Sequence, residues 1–263
     1  MSNKLKIRLQ YFLGVLCTLP ITPLLYYQGK QIRKTVPNLP EATGMHGKVV
    51  VPNTVNFQLL LLGESTMAGV GVTTNEEGFA GSLARELAEQ IQQTISWSVY
   101  AKSGYNVKKV ELELLPQIQE KSADLIVIGI GANDVFEVNS LFTWRKNVVD
   151  LIRSIRTLFP ETPIAFANMP PVKEFTAFPK ALQFTLGNLS LLFQKELITI
   201  VSESPNVYFD DRLLALEEWI LKNDPTATPA DLFSDGVHPS KRSYALWARE
   251  FSGFLFEQIE ELK

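Results

Sequence analysis

Five short apolar runs, separated by longer stretches of mixed polarity, stand out in the sequence after residue 55. The clearest of them, LIVIGI at residues 125–130, is rich in β-branched residues and unbroken. Runs of this length and composition are typical of strands that are buried on both faces of a parallel sheet. The predicted strands cover residues 57–62, 96–101, 125–130, 164–168 and 207–209.

Apolar positions at helical spacing lie between these runs. In residues 78–93, apolar side chains recur at every fourth position, which predicts an amphipathic helix. The predicted helices cover residues 78–93, 107–119, 144–159, 180–202 and 243–262. Strands that alternate with helices pair in parallel through right-handed crossovers. We therefore expect an α/β fold, a three-layer α/β/α sandwich with a parallel sheet of about five strands (flavodoxin-like), whose functional residues follow the carboxyl ends of the strands.

The N-terminal segment, residues 1–34, is apolar between residues 11 and 27 and has basic residues on both sides of that run. As one helix, residues 11–27 would span about 25 Å, less than the roughly 30 Å of a bilayer core, and Pro20 and Pro23 disfavour a straight helix. The balanced basic flanks select no orientation. We predict a membrane-associating segment in contact with the bilayer through residues 11–27, with its face, cytoplasmic or exported, left open. A helix packed on the protein's own domain and an atypical export signal are the alternatives.

Residues 35–55 contain three prolines and two glycines without a clear period, which predicts a linker. Residues 56–263 are then predicted to form the main α/β domain. Within that domain we expect Trp219, Trp247 and Phe251 to belong to the core rather than to a substrate platform.

Composition and charge exclude several function classes. The 25 basic and 28 acidic residues give a net charge of -3, and no concentrated basic patch indicates a nucleic-acid partner. One cysteine and two distant histidines do not predict a metal site. Gly69 and Gly71 hint at a dinucleotide fingerprint, but Thr74 stands where its third glycine would be, and no phosphate-binding loop is present. We therefore predict neither metal nor cofactor, and the sequence makes no prediction of oligomeric state.

Polar residues follow the predicted strands in a pattern that suits nucleophilic catalysis. Ser65 follows the first strand, and a serine hydroxyl needs an adjacent base to act as a nucleophile. His46 lies in the predicted linker, so His238 is the candidate base, and Asp235, three residues earlier, could orient its imidazole. An oxyanion would need convergent donors, for which the candidates are the backbone N–H groups of Ser65 and Gly104 and the side-chain amide of Asn133.

Four segments carry these residues: GESTMAGVG from residue 63, SGYN from residue 103, GAND from residue 131 and DGVHP from residue 235. In this order they resemble the signature blocks of the SGNH (GDSL-like) hydrolase superfamily over residues 55–262. The resemblance implies Ser65 as nucleophile, His238 as base and Asp235 as the acid of an Asp-x-x-His motif. It also implies Gly104 and Asn133 as oxyanion-hole residues together with Ser65, and the cleavage of carboxylic esters through an acyl-enzyme.

The first block departs from the family pattern, because Glu64 stands where Asp is usual. Glutamate keeps the charge but is one methylene longer. Since this acid is not the nucleophile, we expect catalysis to be retained, and the hydrogen bonds around the turn to be the feature that the substitution affects.

Two other functions fit the same residues. An acyltransferase to a sugar or lipid alcohol would use the same acyl-enzyme, and a catalytically silent binding protein could keep the fold. The intact set of Ser65, Asn133, Asp235 and His238 favours an active enzyme. The substrate, a small-molecule, lipid or carbohydrate ester, is not specified, because the pocket walls come from loops after Gly71, Phe136, residues 169–171 and Ala177.

Overall fold

Among the residues that the structure describes, the sheet at the centre of the protein has six strands in the order β1-β3-β2-β4-β5-β6. The computed structural model describes residues 3–212, 220–222 and 225–262. Strands β2 to β6 pair in parallel, and β1 pairs antiparallel with β3 at one edge. The strands are β1 (His46–Val49), β2 (Asn56–Gly63), β3 (Thr94–Ala101), β4 (Leu125–Gly129), β5 (Ile164–Phe166) and β6 (Val207–Phe209).

The helices cover both faces of this sheet. Alternate residues of each buried strand point to opposite faces, so Leu60 and Leu62 enter one core cluster while Leu59 and Leu61 enter the other. The first cluster packs against α6 and α7, and the second against α3 and α8. The helices are α1 (Asn3–Thr18), α2 (Thr22–Thr35), α3 (Phe79–Ile91), α4 (Val107–Lys109), α5 (Ala132–Phe136), α6 (Leu141–Leu158), α7 (Lys180–Ser202) and α8 (Lys241–Gln258). The three-layer α/β/α prediction is confirmed.

The sixth strand, β1, adds an antiparallel edge to the predicted parallel sheet of about five strands, and it lies within residues 35–55, the segment predicted as a linker. Strand β1 is only four residues long and alternates between exposed and half-buried positions, so it has no apolar run that predicts a strand. The residues before it also pack on the domain. Ala42 donates its N–H to the carbonyl of Ala68 at 2.9 Å, and Thr43 bridges to Thr74.

The helix predicted at residues 107–119 is broken into three parts. A single α-helical turn, α4, continues into a π-helical turn (Val110–Leu114) and a 3-10 turn (Leu115–Gln117). Pro116 lacks the N–H that an α-helix would need at that position, so an α-helix is disfavoured over the second half of the predicted range. In the core, Trp247 and Phe251 are buried as expected, whereas Trp219 lies outside the described residues.

The N-terminal helical stretch is longer than the apolar run alone. It covers Lys4–Thr35, with a 3-10 turn (Leu19–Ile21) between α1 and α2, and by length and composition it is apolar enough to cross a membrane. Pro20 and Pro23 lie in the first turns of the 3-10 turn and of α2, where a missing N–H is tolerated.

The first turns of α1 pack on the domain. Ile7 is buried in the core cluster shared with α6 and α7, and the ring of Tyr11 meets that of Phe142 edge-on at 6.2 Å. Beyond Tyr11 the apolar side chains are largely exposed: Phe12, Leu13, Val15, Leu16, Leu19, Ile21, Leu24, Tyr26 and Tyr27.

Candidate active site

The candidate nucleophile lies in a tight turn at the carboxyl end of β2. Gly63 has a φ of 156°, and a Cβ there would lie 2.1 Å from the carbonyl oxygen of Gly129, so only glycine lets β2 end this close to β4. Glu64 donates its N–H to the same carbonyl at 3.0 Å, and Val70 donates its N–H to the carbonyl of Ser65 at 3.0 Å. These bonds hold Ser65, which is 7% exposed, at the edge of the sheet.

The candidate base and acid form a hydrogen-bonded pair. Nδ1 of His238 lies 2.7 Å from Oδ2 of Asp235, and Oδ1 of Asp235 accepts the backbone N–H groups of Val237 at 2.9 Å and His238 at 2.8 Å. Burial raises the pKa of Asp235, but the hydrogen bonds from His238 and Val237 outweigh it and hold the pKa below its ordinary value. The carboxylate is therefore ionised, and it accepts a hydrogen from Nδ1, which leaves Nε2 of His238 as the basic nitrogen.

The segment from Ser234 to Tyr244, which contains His238, is hydrogen-bonded directly to the loop of Ser65. Ser234 Oγ donates to the carbonyl of Gly71 at 3.1 Å, and Tyr244 OH donates to the carbonyl of Val70 at 2.8 Å. In the part of the chain that the structure describes, the Ser65 hydroxyl makes no hydrogen bond with the His238 ring. Hydrogen bonds of this kind often tighten only when a substrate is bound.

The turn that carries Gly104 follows β3 and lies next to the end of β2, the strand that precedes Ser65. Gly104 has a φ of 80°, and a Cβ added there would meet nothing within 4 Å, so its backbone borders open space. Lys102 donates its N–H to the carbonyl of Gly63 at 3.1 Å. Glu41 accepts the N–H of Ser103 at 2.7 Å and pairs with Lys102 Nζ at 2.9 Å. No pattern in the sequence indicated these contacts of Glu41, which lies in the segment predicted as a linker.

Asn133 lies in the first turn of α5, and the Glu64 carboxylate hydrogen-bonds to it there. Oε1 of Glu64 accepts the N–H of Ala132 at 2.7 Å, and Oε2 accepts the N–H of Asn133 at 2.9 Å and also its side-chain amide. The same amide nitrogen donates to the carbonyl of Tyr105 at 3.0 Å. Burial raises the pKa of Glu64 to about 8, against the lowering effect of these N–H groups.

Asp134, the next residue, stabilises the surrounding loops. Its carboxylate accepts the N–H of Val107 at 2.9 Å and the side-chain amide of Asn139 at 3.0 Å. Burial raises its pKa to about 6. These contacts join α4 to α5 and agree with a structural role.

An apolar cavity of about 70 Å³ lies beside the pair of loops. Glu64 and Thr66, on either side of Ser65, line it, as do Val237 and Pro239, on either side of His238. The remaining walls come chiefly from the loop after β5 and from the segment before His238: Pro170, Pro171, Phe175, Leu232, Phe233 and Trp247. Across residues 3–212, 220–222 and 225–262, no group of three or more His, Cys, Asp or Glu side chains is arranged to hold a metal ion.

The sequence model of the GDSL-like Lipase/Acylhydrolase family matches residues 61–246, which include all five candidate site residues. The chain belongs to this family. Among curated members, it is 28% identical over 195 residues to a GDSL-like esterase of Mycobacterium tuberculosis, and 22% identical over 227 residues to the spore germination lipase LipC of Bacillus licheniformis. The first match covers 73% of this chain and 60% of the mycobacterial protein, and the second covers 78% of this chain and 100% of LipC.

Solved structures of similar fold agree with the family. A lipase from a goat rumen metagenome superposes with a TM-score of 0.55 at 21% identity, over 75% of this chain and 96% of that one. The acetylxylan esterase Axe2 of Geobacillus stearothermophilus gives a TM-score of 0.54 at 21% identity, over 79% and 96% of the two chains. At these identities the likeness concerns the fold.

Proposed function

We propose that this protein is a carboxylic ester hydrolase that works through an acyl-enzyme on Ser65. The observation that carries the proposal is the hydrogen-bonded pair of Asp235 and His238 on a loop attached to the loop of Ser65. The family membership and the esterases and lipases among its relatives support it.

The chemistry follows from the orientation of the imidazole. Ser65 Oγ attacks the ester carbonyl while its proton passes to Nε2 of His238, and the imidazolium is stabilised by Asp235. The tetrahedral oxyanion accepts hydrogen bonds from the backbone N–H groups of Ser65 and Gly104 and from the side-chain amide of Asn133. Collapse of the oxyanion expels the alcohol, which takes the proton from Nε2. Water then attacks the acyl-enzyme while Nε2 of His238 takes its proton. That proton returns to Ser65 Oγ as the acid is released.

The cavity favours an ester with an apolar acyl group. Three of its polar lining side chains, those of Glu64, Asn168 and Ser243, are already paired within the protein. Asn168 accepts from Trp247 Nε1 at 2.8 Å and donates to the carbonyls of Asp210 and Arg212 at 3.1 Å, and Ser243 Oγ donates to the carbonyl of Leu232 at 2.6 Å. Sugar hydroxyls would find few free partners there, whereas an acyl chain would bury apolar surface.

The N-terminal helices support association with a membrane through residues 11–27. Exposed apolar side chains of this density are unfavourable in water and suit a lipid surface. Because the first turns of α1 pack on α6 and α7, the catalytic domain would lie close to that surface.

A panel of p-nitrophenyl esters from acetate to long acyl chains tests the activity. We expect turnover by the wild type that prefers acyl chains longer than acetate and is lost in Ser65→Ala. Ser202→Ala, an exposed serine on α7, is the matched control and should keep full activity. A wild type that is folded but hydrolyses none of these esters would contradict the proposal and favour a binding protein. Repeating the assay with an added alcohol, and weighing the products by mass spectrometry, separates hydrolysis from acyl transfer.

Vesicles of phosphatidylcholine and phosphatidylglycerol test the membrane contact. Wild-type protein should sediment with them, and the double variant Leu16→Glu, Leu24→Glu should stay in solution. Leu112→Glu, at a similarly exposed leucine of the catalytic domain, is the control that should sediment like the wild type. Equal sedimentation of all three proteins would contradict the proposed contact.

A further inference from the structure

The carboxylate of Glu64 is surrounded by hydrogen-bond donors at the start of α5. It is 2% exposed, and it accepts the backbone N–H groups of Ala132 and Asn133 as well as the side-chain amide of Asn133. The backbone bonds hold the first turn of α5 against the nucleophile loop. The bond to the side-chain amide adds nothing to the helix and acts only on the orientation of Asn133.

The amide nitrogen of Asn133 has two hydrogens, and both are engaged. One goes to Glu64 Oε2 and the other to the carbonyl oxygen of Tyr105 at 3.0 Å. Since both neighbours are acceptors, the amide must present its nitrogen to them and not its oxygen. An oxyanion on the substrate can therefore accept a hydrogen bond from Asn133 only by replacing one of these two acceptors.

The two acceptors differ in strength and in place. Above the pKa of about 8 that burial gives Glu64, its carboxylate is ionised, and a bond to an ionised carboxylate is roughly twice as strong as one to a neutral carbonyl. The Tyr105 carbonyl lies one residue from Gly104, whose backbone N–H is the neighbouring oxyanion donor. The bond to Tyr105 is thus the weaker one, and it lies on the side of the oxyanion hole.

We propose that Glu64 is a positioning residue that holds the Asn133 amide through one N–H, so that the other N–H, which donates to the Tyr105 carbonyl at rest, donates its hydrogen bond to the oxyanion during catalysis. This inference rests on the proposed ester hydrolysis. It assigns a role to the longer side chain that this protein has in place of the usual Asp: the added methylene allows one carboxylate to reach both the backbone of α5 and the amide of Asn133.

A double-mutant cycle of Glu64→Asp and Asn133→Ala tests the proposal. The assay uses a soluble p-nitrophenyl ester at pH 9, above the pKa of about 8 that burial gives Glu64. We expect Glu64→Asp to lower kcat about tenfold with little change in KM, since the shorter carboxylate keeps the backbone bonds and releases the amide. In the Asn133→Ala background the same change should lower kcat no further. Glu64→Gln keeps the length, removes the charge and replaces one acceptor oxygen with an NH2 group; because its remaining oxygen can still accept the Asn133 amide, it should show a smaller loss that also vanishes in that background, and it serves as the second variant if Glu64→Asp does not fold.

Two outcomes would overturn the positioning role. One is a kcat for Glu64→Asp that is unchanged or raised. The other is a loss of the same size with and without Asn133, because a purely structural effect would be additive. A wild type whose turnover does not depend on Ser65 would overturn the ester-hydrolase proposal itself, whereas Ser65-dependent turnover with an additive cycle would overturn only the role of Glu64.

Discussion

Nδ1 of His238 lies 2.7 Å from Oδ2 of Asp235, and the other oxygen of the same carboxylate accepts the backbone N–H of His238 at 2.8 Å. One side chain thus fixes both the backbone and the ring of the candidate base. The Asp235 side chain is completely buried, while the His238 side chain is 20% exposed. The imidazole is therefore held from its protein side and has its remaining nitrogen available for a substrate and for Ser65.

The pair predicts a large effect of Asp235→Asn. An asparagine can present its NH2 group to Nδ1, which would put the imidazole hydrogen on Nε2 and remove the base. We expect kcat/KM to fall on the order of 10²–10⁴-fold, as for loss of the orienting carboxylate in other serine hydrolases. Steady-state kinetics measures this, with circular dichroism to verify the fold. A loss below about threefold would mean that Asp235 does not orient the base.

Asn133→Ala should reduce kcat on the order of 10²-fold and change KM little. The oxyanion charge develops in the transition state, so the loss of a donor there affects the rate and not substrate binding. Asn38→Ala, at an exposed asparagine before β1, is the matched control and should behave as the wild type. A rise in KM at constant kcat would assign Asn133 to substrate binding instead.

Glu41→Ala should lower kcat by about threefold to tenfold. The change removes the acceptor for the N–H of Ser103 and the partner of Lys102, and so loosens the turn that presents Gly104. Glu76→Ala removes a more exposed carboxylate from its ion pair with Arg85 and serves as the control. If the two variants are equally active, the segment before β1 does not support the oxyanion hole.

The buried acid beside the nucleophile predicts how stability depends on pH. The pKa of Glu64 is raised from 4.5 to about 8 by burial, so between these values the folded protein keeps a proton that the unfolded chain has released. Rising pH therefore favours unfolding, and the stability that protonated Glu64 contributes is complete below about pH 4.5 and is lost as pH rises through about 8. Asp134, with a pKa raised to about 6, acts in the same direction at lower pH.

Urea unfolding at pH 5 and pH 9 measures this dependence. The free energy of unfolding of the wild type should fall between the two pH values, with a limit on the order of 1.4 kcal/mol for each unit of pKa shift. In Glu64→Gln the fall should be smaller, because the titrating group is gone. An equal fall in both proteins would show that Glu64 is not the group responsible.

Much of the fold and the site follows from local patterns in the sequence. The run at residues 125–130 is long and apolar enough to predict β4, and the order of Ser65, Gly104 and Asn133 after successive strands predicts which edge of the sheet carries them. Strand β1 was not predicted, because it is short, half exposed and held by pairing with β3, which no local pattern encodes.

The supporting contacts of the site could not be predicted for a related reason. Glu41 reaches Ser103 across 62 positions of the chain, and this proximity exists only after β1 has joined the sheet. The hydrogen bond from the Asn133 amide to Glu64 requires a side chain that spans the distance from the end of β2 to the start of α5. The sequence indicated that the hydrogen bonds at this position would change, and only the folded geometry identifies their new partner.

Reaction with a fluorophosphonate, followed by proteolysis and mass spectrometry of the modified peptide, tests the central claim most directly. The probe phosphonylates a serine only when a base and oxyanion donors activate it. We predict a single adduct, on Ser65, that is absent in Ser65→Ala and forms far more slowly in His238→Ala. An adduct on another serine, or labelling of Ser65→Ala at the rate of the wild type, would contradict the assignment of Ser65 as the nucleophile.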